Sequence, residues 1–239
     1  MNFFWGVYSK PNFGDFLTPF ILNFLKIKKF NMTNNIDISD AMMIGSIIRF
    51  ARNDMKVFGS GIIDANDKIN PNADYKFVRG PLTRKKILES GGKCPEIYGD
   101  AATILPLFCP EKIKKHKIGI VPHYVDYELI NEKYKNEYKI INVINNNPLR
   151  VAEEISECEK IISSSLHGII VAHSYGIPSS WAKSVNKLTG DDVKFKDYFS
   201  MLYLFDWGLN YASTIEFLLK KITLNPIKNT IIDIGCGEG

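Results

Sequence analysis

Short apolar segments that end in glycine- or serine-containing turns, each followed by a helical pattern, recur along most of the chain. Two examples are Ala41–Ile44 before Gly45-Ser46, and Lys56–Phe58 before Gly59-Ser60-Gly61. Strands of a parallel sheet have this character, because the crossover helices cover both faces of the sheet. The sequence therefore predicts an α/β fold built from parallel βαβ units.

Local signals give the bounds of the expected elements. The first strand is predicted at Phe3–Tyr8, and the following helix is predicted to begin at Asp15, with Pro19 in or near its first turn. Pro81 begins a second helix that Gly91-Gly92 ends. The other expected strands are Lys76–Val78, Ile97-Tyr98, Ile118–Val121, Ile140–Val143 and Lys160–Ile162, and the other expected helices are Leu149–Cys158 and about Leu166 to Tyr175.

A segment with two prolines and a basic run, residues 106–117, divides these units into two groups. We expect an N-terminal Rossmann-like lobe over residues 1–110, a C-terminal Rossmann-like lobe over residues 111–200, and a terminal stretch over residues 201–239. Open α/β sheets bind ligands at the carboxyl ends of their strands. Two such lobes are therefore expected to bind a ligand in the cleft between them.

Composition and charge exclude several classes of protein. Hydrophobic residues make up 45% of the 239 residues and charged residues 23%, which excludes a disordered chain. The net charge of +4 comes without a dense basic stripe, so no nucleic-acid partner is expected. No segment has the roughly 20 apolar residues of a membrane span, and the N-terminus lacks signal-peptide features. The four scattered cysteines indicate reduced thiols in a cytoplasmic protein and predict no metal site.

The segment Ser163-Ser164-Ser165-Leu166-His167-Gly168 joins a predicted strand to a predicted helix. A helix N-terminus favours an anion, and Ser164 or Ser165 can cap the helix or bind phosphate oxygens. His167 can contact a phosphate or transfer a proton near neutral pH, and a surface histidine on a capped helix is the alternative. His173 lies about 240° round the helix from His167, so a two-histidine metal site is not expected.

The loop Asn12-Phe13-Gly14-Asp15 follows the first predicted strand. Gly14 permits a close approach of the backbone to another group. Asp15 either caps the following helix or acts as a base, and the local pattern favours capping.

Three further positions are candidates for binding. Arg79 and Arg84 flank a helix start, where arginine can bind carboxylates or phosphates through two hydrogen bonds, although a solvated helix face explains Arg84 equally well. His123 follows a strand and is expected on the cleft side. The pair Asp191-Asp192 has no third acidic ligand nearby and is interpreted as a solvated loop.

Seven motifs together resemble a known family. In chain order they are NFGD, VFGSGI, VRGPLTR, YGDAA, GIVPHYVD, SSSLHGIIVAHSYGIP and FKDYF. This series resembles the polysaccharide pyruvyl transferases over roughly residues 3–200. The resemblance implies a fold similar to that of two-lobed (GT-B-type) glycosyltransferases. It also implies transfer of pyruvate from phosphoenolpyruvate onto two hydroxyls of a sugar or lipid-linked glycan, which gives a cyclic ketal and requires no cofactor besides the donor.

The resemblance also implies roles for individual residues. The family histidine corresponds to His167, and contacts to phosphate or carboxylate correspond to the Ser163–Ser165 turn and Arg79. Many members carry arginine where this chain has Ser165, so other cations are expected to bind the donor. Asp15 as the base is an inference from what the reaction requires. The remaining expected binding residues are Asn12, Gly14, Ser60, Arg84, His123, Gly168 and Lys183.

The sequence also leaves two alternative functions and contains one further motif. A sugar-nucleotide glycosyltransferase of related fold and a non-catalytic partner domain are the alternatives. The segment Lys228–Gly239 resembles the first strand and glycine loop of S-adenosylmethionine-dependent methyltransferases. Such a loop needs a following helix and an acidic residue for the ribose, so we expect that this segment alone does not bind the cofactor.

Overall fold

A computed structural model describes residues 1–6 and 12–204 of the chain. It contains two parallel sheets with helices packed against them, which confirms the α/β fold. The likeness to two-lobed glycosyltransferases and the proposed lobe boundaries stay predictions. The methyltransferase-like segment Lys228–Gly239 lies outside the described residues.

The nine strands of the described residues form two sheets. The five-stranded sheet has the order β2-β1-β3-β4-β5, with β1 at Asn2–Phe4, β2 at Asn31–Thr33, β3 at Ala41–Met42, β4 at Lys56–Phe58 and β5 at Asp74–Phe77. The four-stranded sheet has the order β7-β6-β8-β9, with β6 at His116–Val121, β7 at Lys139–Ile140, β8 at Cys158–Ser163 and β9 at Ser179–Trp181. Every pair of neighbouring strands is parallel.

Helices connect and cover these strands. The α-helices are α1 at Phe13–Phe24, α2 at Pro81–Glu89, α3 at Tyr127–Tyr134, α4 at Pro148–Ser156, α5 at Leu166–Ser174 and α6 at Val193–Leu204. The 3-10 helices are Ile36–Ile38, Ile48–Phe50 and Ala101–Leu107. Within the described part of the chain, no helix is long and apolar enough to cross a membrane.

Helix α1 begins two residues earlier than the sequence predicts. The side chain of Asn12 caps it by accepting a hydrogen bond from the Gly14 amide at 3.2 Å. The capping role expected for Asp15 is therefore wrong, because Asp15 is already the third helical residue. Pro19 consequently lies inside the helix rather than in its first turn, and it donates no hydrogen bond to the Asp15 carbonyl.

Two other boundaries also differ from the prediction. The strand expected at Ile140–Val143 ends at Ile140. The Val143 carbonyl instead accepts a hydrogen bond from the Phe13 amide at 2.9 Å, which ties the second sheet to the start of α1. The expected linker 106–117 is shortened by the 3-10 helix that ends at Leu107 and by β6, which begins at His116.

One apolar core extends through both sheets and the helices between them. Helix α5 packs on the 3-10 helix Ala101–Leu107, and α1 packs on both α4 and that same 3-10 helix. The buried side chains at these contacts include Phe13, Leu105 and Ile169. The two sheets therefore keep a fixed relation to each other through shared side chains.

Each sheet has one point at which the strand order reverses. In the first sheet β2 lies on one side of β1 and β3 on the other, and in the second sheet β7 and β8 flank β6 in the same way. In open parallel sheets the crevice for a ligand lies at the carboxyl ends of the strands at such a point. The topology therefore predicts two crevices, one after β1 and β3 and one after β6 and β8.

A buried carboxylate attaches α6 to the first half of the chain. Asp197 accepts hydrogen bonds from Arg79 Nε at 3.1 Å, from the Thr83 amide at 2.8 Å and from Thr83 Oγ1 at 2.7 Å. Asp197 thereby caps α2. The N-cap residue of α2 is Gly80, which has no side chain that could accept a hydrogen bond from the helix amides. A β-carbon at Gly80 would overlap the Asp197 carbonyl, so this close approach requires glycine.

Replacement of Asp197 by alanine is expected to lower the free energy of unfolding by about 3–5 kcal/mol, because it leaves the Arg79 guanidinium buried without a counterion. Urea denaturation measures the change. The control is Glu89→Ala, which removes the exposed Lys85–Glu89 pair and should change the same free energy by less than about 1 kcal/mol. Similar effects of the two substitutions would contradict the role assigned to Asp197.

Candidate active site

The two crevices open into one cavity of about 330 Å³ between the carboxyl edges of the sheets. The loops after β1 and β3, with the start of α1, contribute Gly6, Asn12, Asp15, Gly45, Ser46 and Ile47. The loops after β6 and β8, with the start of α5, contribute His123, Tyr124, Val125, Ser165, Leu166 and His167. The remaining wall is formed by Arg49, Phe50, Ile63, Lys187, Leu188, Thr189 and Lys194. The cavity thus lies where the strand order of both sheets reverses, as the topology predicts.

His167 lies in the first turn of α5, at the centre of the contact between the two sheets. Its ring packs directly on the backbone of Gly14, where a β-carbon would overlap Nδ1, and it meets Phe13 edge-to-face at 6.2 Å. Its Nε2 lies 3.7 Å from Oδ2 of Asp100. The side chain is only 12% exposed, and that exposed part faces the cavity.

Asp15 lines the cavity from the first turn of α1. Burial raises the pKa of its carboxyl group from 3.8 to about 6, and the nearby His167 and Lys194 oppose part of this rise. At neutral pH the carboxylate is therefore ionised yet more basic than an ordinary aspartate. A pKa close to the working pH is what general base catalysis requires.

The three serines before α5 have different positions. Ser163 is fully buried, and its Oγ bonds to the Val121 carbonyl and accepts from the Ser165 amide at 3.0 Å. Ser164 Oγ accepts from the His123 amide at 2.8 Å and so positions the loop after β6. Residue 168 is glycine, and a β-carbon at this position would overlap Ser163 Oγ. Ser163, Ser164 and Gly168 are not among the residues that line the cavity, and their expected contacts with a ligand stay predictions.

Of these serines, Ser165 is the one that lines the cavity. It is the N-cap residue of α5, but its side chain makes no capping hydrogen bond. The first amides of α5 and the Ser165 hydroxyl therefore meet at the cavity wall, where a helix N-terminus favours an anion.

Arg79 is not at the cavity surface as the sequence predicts. It is 1% exposed, and besides Asp197 its guanidinium donates to the Ile62 carbonyl at 2.6 Å and to Ser46 Oγ at 2.7 Å. Each of its three guanidinium nitrogens thus donates to a group of the protein. It donates to Ser46, which does line the cavity, so Arg79 supports the cavity wall from behind. Its expected contact with a ligand stays a prediction.

Three other expected binding residues also lie away from the cavity wall. Arg84 donates through Nε to the Cys94 carbonyl at 3.2 Å. Ser60 is buried, and its Oγ donates to the Gly45 carbonyl at 2.8 Å, which holds the loop after β3. Lys183 is exposed and does not line the cavity.

The cavity cations in the described part of the chain are Arg49, Lys187 and Lys194, none of which the sequence singled out. Arg49 lies 3.9 Å from Asp67. Lys194 makes no hydrogen bond or ion pair within residues 1–6 and 12–204. Burial, helped by the charge of Arg79, lowers the pKa of its amine from 10.5 to about 8, and Asp192 and Asp15 oppose this.

The other histidines have distinct environments. His123 lines the cavity as expected, and burial together with the charge of Lys194 lowers its pKa to about 4, so its ring is neutral at pH 7. His173 contacts Tyr198 and Ser179, away from the cavity. Among the described residues, no cluster of three or more histidine, cysteine or acidic side chains could hold a metal ion.

Comparison with known proteins identifies the family. The family model described as polysaccharide pyruvyl transferase matches residues 7–181. The chain belongs to the polysaccharide pyruvyl transferase family. It is also similar to the uncharacterized protein L143 of Acanthamoeba polyphaga mimivirus, at 32% identity over 196 residues, which cover 78% of this chain and 67% of that protein. The matched range includes His167 and Asp15, whereas Lys194 lies beyond it.

Replacement of Asp15 by asparagine is expected to stabilise this pyruvyl transferase family member at neutral pH. The folded-state pKa of about 6 exceeds the ordinary value of 3.8, so the folded state binds the proton more tightly and stability falls as pH rises between about 4 and 6. The difference corresponds to at most about 3 kcal/mol. Urea unfolding at about pH 7.5 should show this gain, and at about pH 4 the gain should nearly vanish.

The control for this prediction is Asp74→Asn at the surface, where the carboxylate pairs with Lys76 and about 38% of its side chain is exposed. It should change the free energy of unfolding by less than about 1 kcal/mol at either pH. A loss of stability in Asp15→Asn at neutral pH would show that the carboxylate is not strained by burial.

Proposed function

We propose that this protein transfers the pyruvyl group of phosphoenolpyruvate onto two hydroxyls of a sugar, in a glycan or a lipid-linked precursor, and forms a cyclic ketal. The observation that supports this most directly is the cavity itself, in which a histidine, a basic aspartate, a helix N-terminus and three cations surround one space. Membership of the family supports the transferase class. The proposal also places the reaction in the cytoplasm.

The two anionic groups of the donor match the cavity wall. Phosphoenolpyruvate carries a phosphate and a carboxylate, and the N-terminus of α5 provides amides and a positive dipole end for one of them. Lys194 and Lys187 provide charge for the other. Because Arg79 is bonded within the protein, these lysines take the role that the sequence assigned to arginine.

His167 is the proposed acid. It gives a proton to the methylene carbon of the donor, so the central carbon becomes electrophilic and one sugar hydroxyl adds to it. Cleavage of the carbon–oxygen bond to phosphate restores the electrophile, and the second hydroxyl closes the ketal. The methyl group gains one proton, the two hydroxyls lose one each, and the second proton leaves on the phosphate, so the step balances without an oxidant or another cofactor.

Asp15 is the proposed base for the hydroxyls. It lines the cavity one residue from Gly14, on which His167 packs. Its raised pKa lets it accept a proton at neutral pH more readily than a solvated aspartate. The acid and the base thus come from the two different sheets, and the reaction depends on their packing.

The first test is release of inorganic phosphate from phosphoenolpyruvate with a panel of hexose nitrophenyl glycosides, with the ketal detected by mass spectrometry in the presence of EDTA. His167→Gln should lower kcat by about 10²–10⁴-fold, the usual contribution of an acid–base group. The control is His173→Gln, which removes a histidine that does not line the cavity and should leave kcat nearly unchanged. Release of a nucleoside diphosphate from a sugar nucleotide would instead favour a glycosyltransferase. Near wild-type turnover by His167→Gln would show that His167 is not the acid.

The second test concerns the donor alone and requires no acceptor. Lys194→Gln should weaken phosphoenolpyruvate binding about 10–100-fold, because a charge-assisted hydrogen bond contributes roughly 1.5–3 kcal/mol. Calorimetry on the full chain gives the dissociation constant. Binding to the unsubstituted protein should also weaken as pH rises through about 8, where Lys194 loses its proton.

Lys196→Gln is the matched control, since Lys196 lies two residues away on the same helix and is exposed. It should leave the dissociation constant within about twofold of the original, as expected for a distant solvated charge. Equal effects of the two substitutions would show only a general loss of charge and would refute a specific contact from Lys194.

A further inference from the structure

Asp100 carries a buried oxygen that has no hydrogen-bond partner among the described residues. The side chain is 1% exposed, and its Oδ1 accepts from the Ala102 amide at 2.9 Å, which caps the 3-10 helix Ala101–Leu107. Its Oδ2 is the unpartnered atom. A buried carboxylate oxygen without a donor is costly, so its position calls for a donor nearby.

A candidate donor is His167. Its Nε2 lies 3.7 Å from Oδ2, which is too long for a hydrogen bond but within reach of a small rotation of the imidazole ring. Distances of this kind commonly shorten when a substrate is bound. The other ring nitrogen, Nδ1, packs on Gly14 and has no hydrogen-bond partner within the described residues, and His167 lines the cavity.

We propose that Asp100 is a positioning residue for His167: it holds the proton on Nε2 and leaves Nδ1 as the nitrogen that exchanges a proton with the substrate. This inference rests on the proposed role of His167 as the acid. Asp100 does not touch the substrate. It acts by fixing the ring orientation and by stabilising the charged imidazolium, as a buried aspartate does beside other catalytic histidines.

The packing around both residues supports this role. Asp100 begins the 3-10 helix on which α5 packs, so the carboxylate and the imidazole come from two elements in direct contact. Gly99 before it bonds to the Val78 carbonyl at 3.0 Å, which anchors the turn to the first sheet. The ring lies between Gly14 on one side and Asp100 on the other, and two sites of contact define its orientation.

Asp100→Asn tests the proposal with little disturbance of the fold. The amide oxygen can still accept from the Ala102 amide, so the cap is kept, and asparagine is as good a cap as aspartate. That bond turns the NH₂ group toward His167, where it must donate to Nε2. In this variant the neutral imidazole of His167 should therefore carry its proton on Nδ1. The proposal requires that same nitrogen to be unprotonated in the neutral ring.

Nitrogen–proton correlation spectra of ¹⁵N-histidine-labelled protein, recorded in alkaline buffer, distinguish the two ring forms, and His167→Gln assigns the signal. We expect the Nε2–H form in the unsubstituted protein and the Nδ1–H form in Asp100→Asn. In the phosphate-release assay, kcat should fall by about 10²–10⁴-fold while KM for phosphoenolpyruvate changes less than about threefold. A structural role alone would not change the ring form.

The Nδ1–H form in the unsubstituted protein, or the Nε2–H form retained in Asp100→Asn, would overturn the proposal. Turnover of Asp100→Asn within about threefold of the original would overturn it as well. The spectra require no activity, so a protein that shows the expected exchange of ring forms but does not consume phosphoenolpyruvate would refute the proposed function and support the positioning of His167.

Discussion

The packing of α5 against the 3-10 helix Ala101–Leu107 is the constraint on which the site depends. It places the N-terminus of α5, from the second sheet, directly beside the first loop of the first sheet. His167 then lies on Gly14 with no room for a β-carbon between them. His167 and Asp15, the proposed acid and base, thus follow strands of separate sheets, and both the topology and the apolar core determine the distance between them.

Burial holds Lys194 at the cavity in a state that an anionic ligand would relieve. Burial shifts the pKa values of Asp15 and Lys194 toward the neutral forms. Asp197 and Arg79, which lie behind the cavity wall, form an ion pair with each other. A bound phosphate or carboxylate would add a partner for Lys194 at the point where the described residues supply none.

The sequence predicted the parallel α/β fold and the strand-to-helix turn at His167, because periodicity and turn chemistry are local properties. It also indicated that the backbone at Gly14 can be approached closely by another group. It placed Arg79 at the surface of the site, since nothing in the local pattern shows that Asp197, more than a hundred residues away, pairs with it. Lys194 and Asp100 were missed for the same reason. Lys194 and Lys196 look alike in the sequence, and only the packing of α6 separates the cavity residue from the exposed one.

A structure of the protein with phosphoenolpyruvate bound would test the central claim most directly. The account predicts the donor in the cavity between the sheets, with an anionic group at Lys194 or at the N-terminus of α5. Its methylene carbon should lie about 3–3.5 Å from Nδ1 of His167, the separation of reacting atoms before proton transfer. Donor bound at another surface, or with its methylene carbon directed away from His167, would contradict the account.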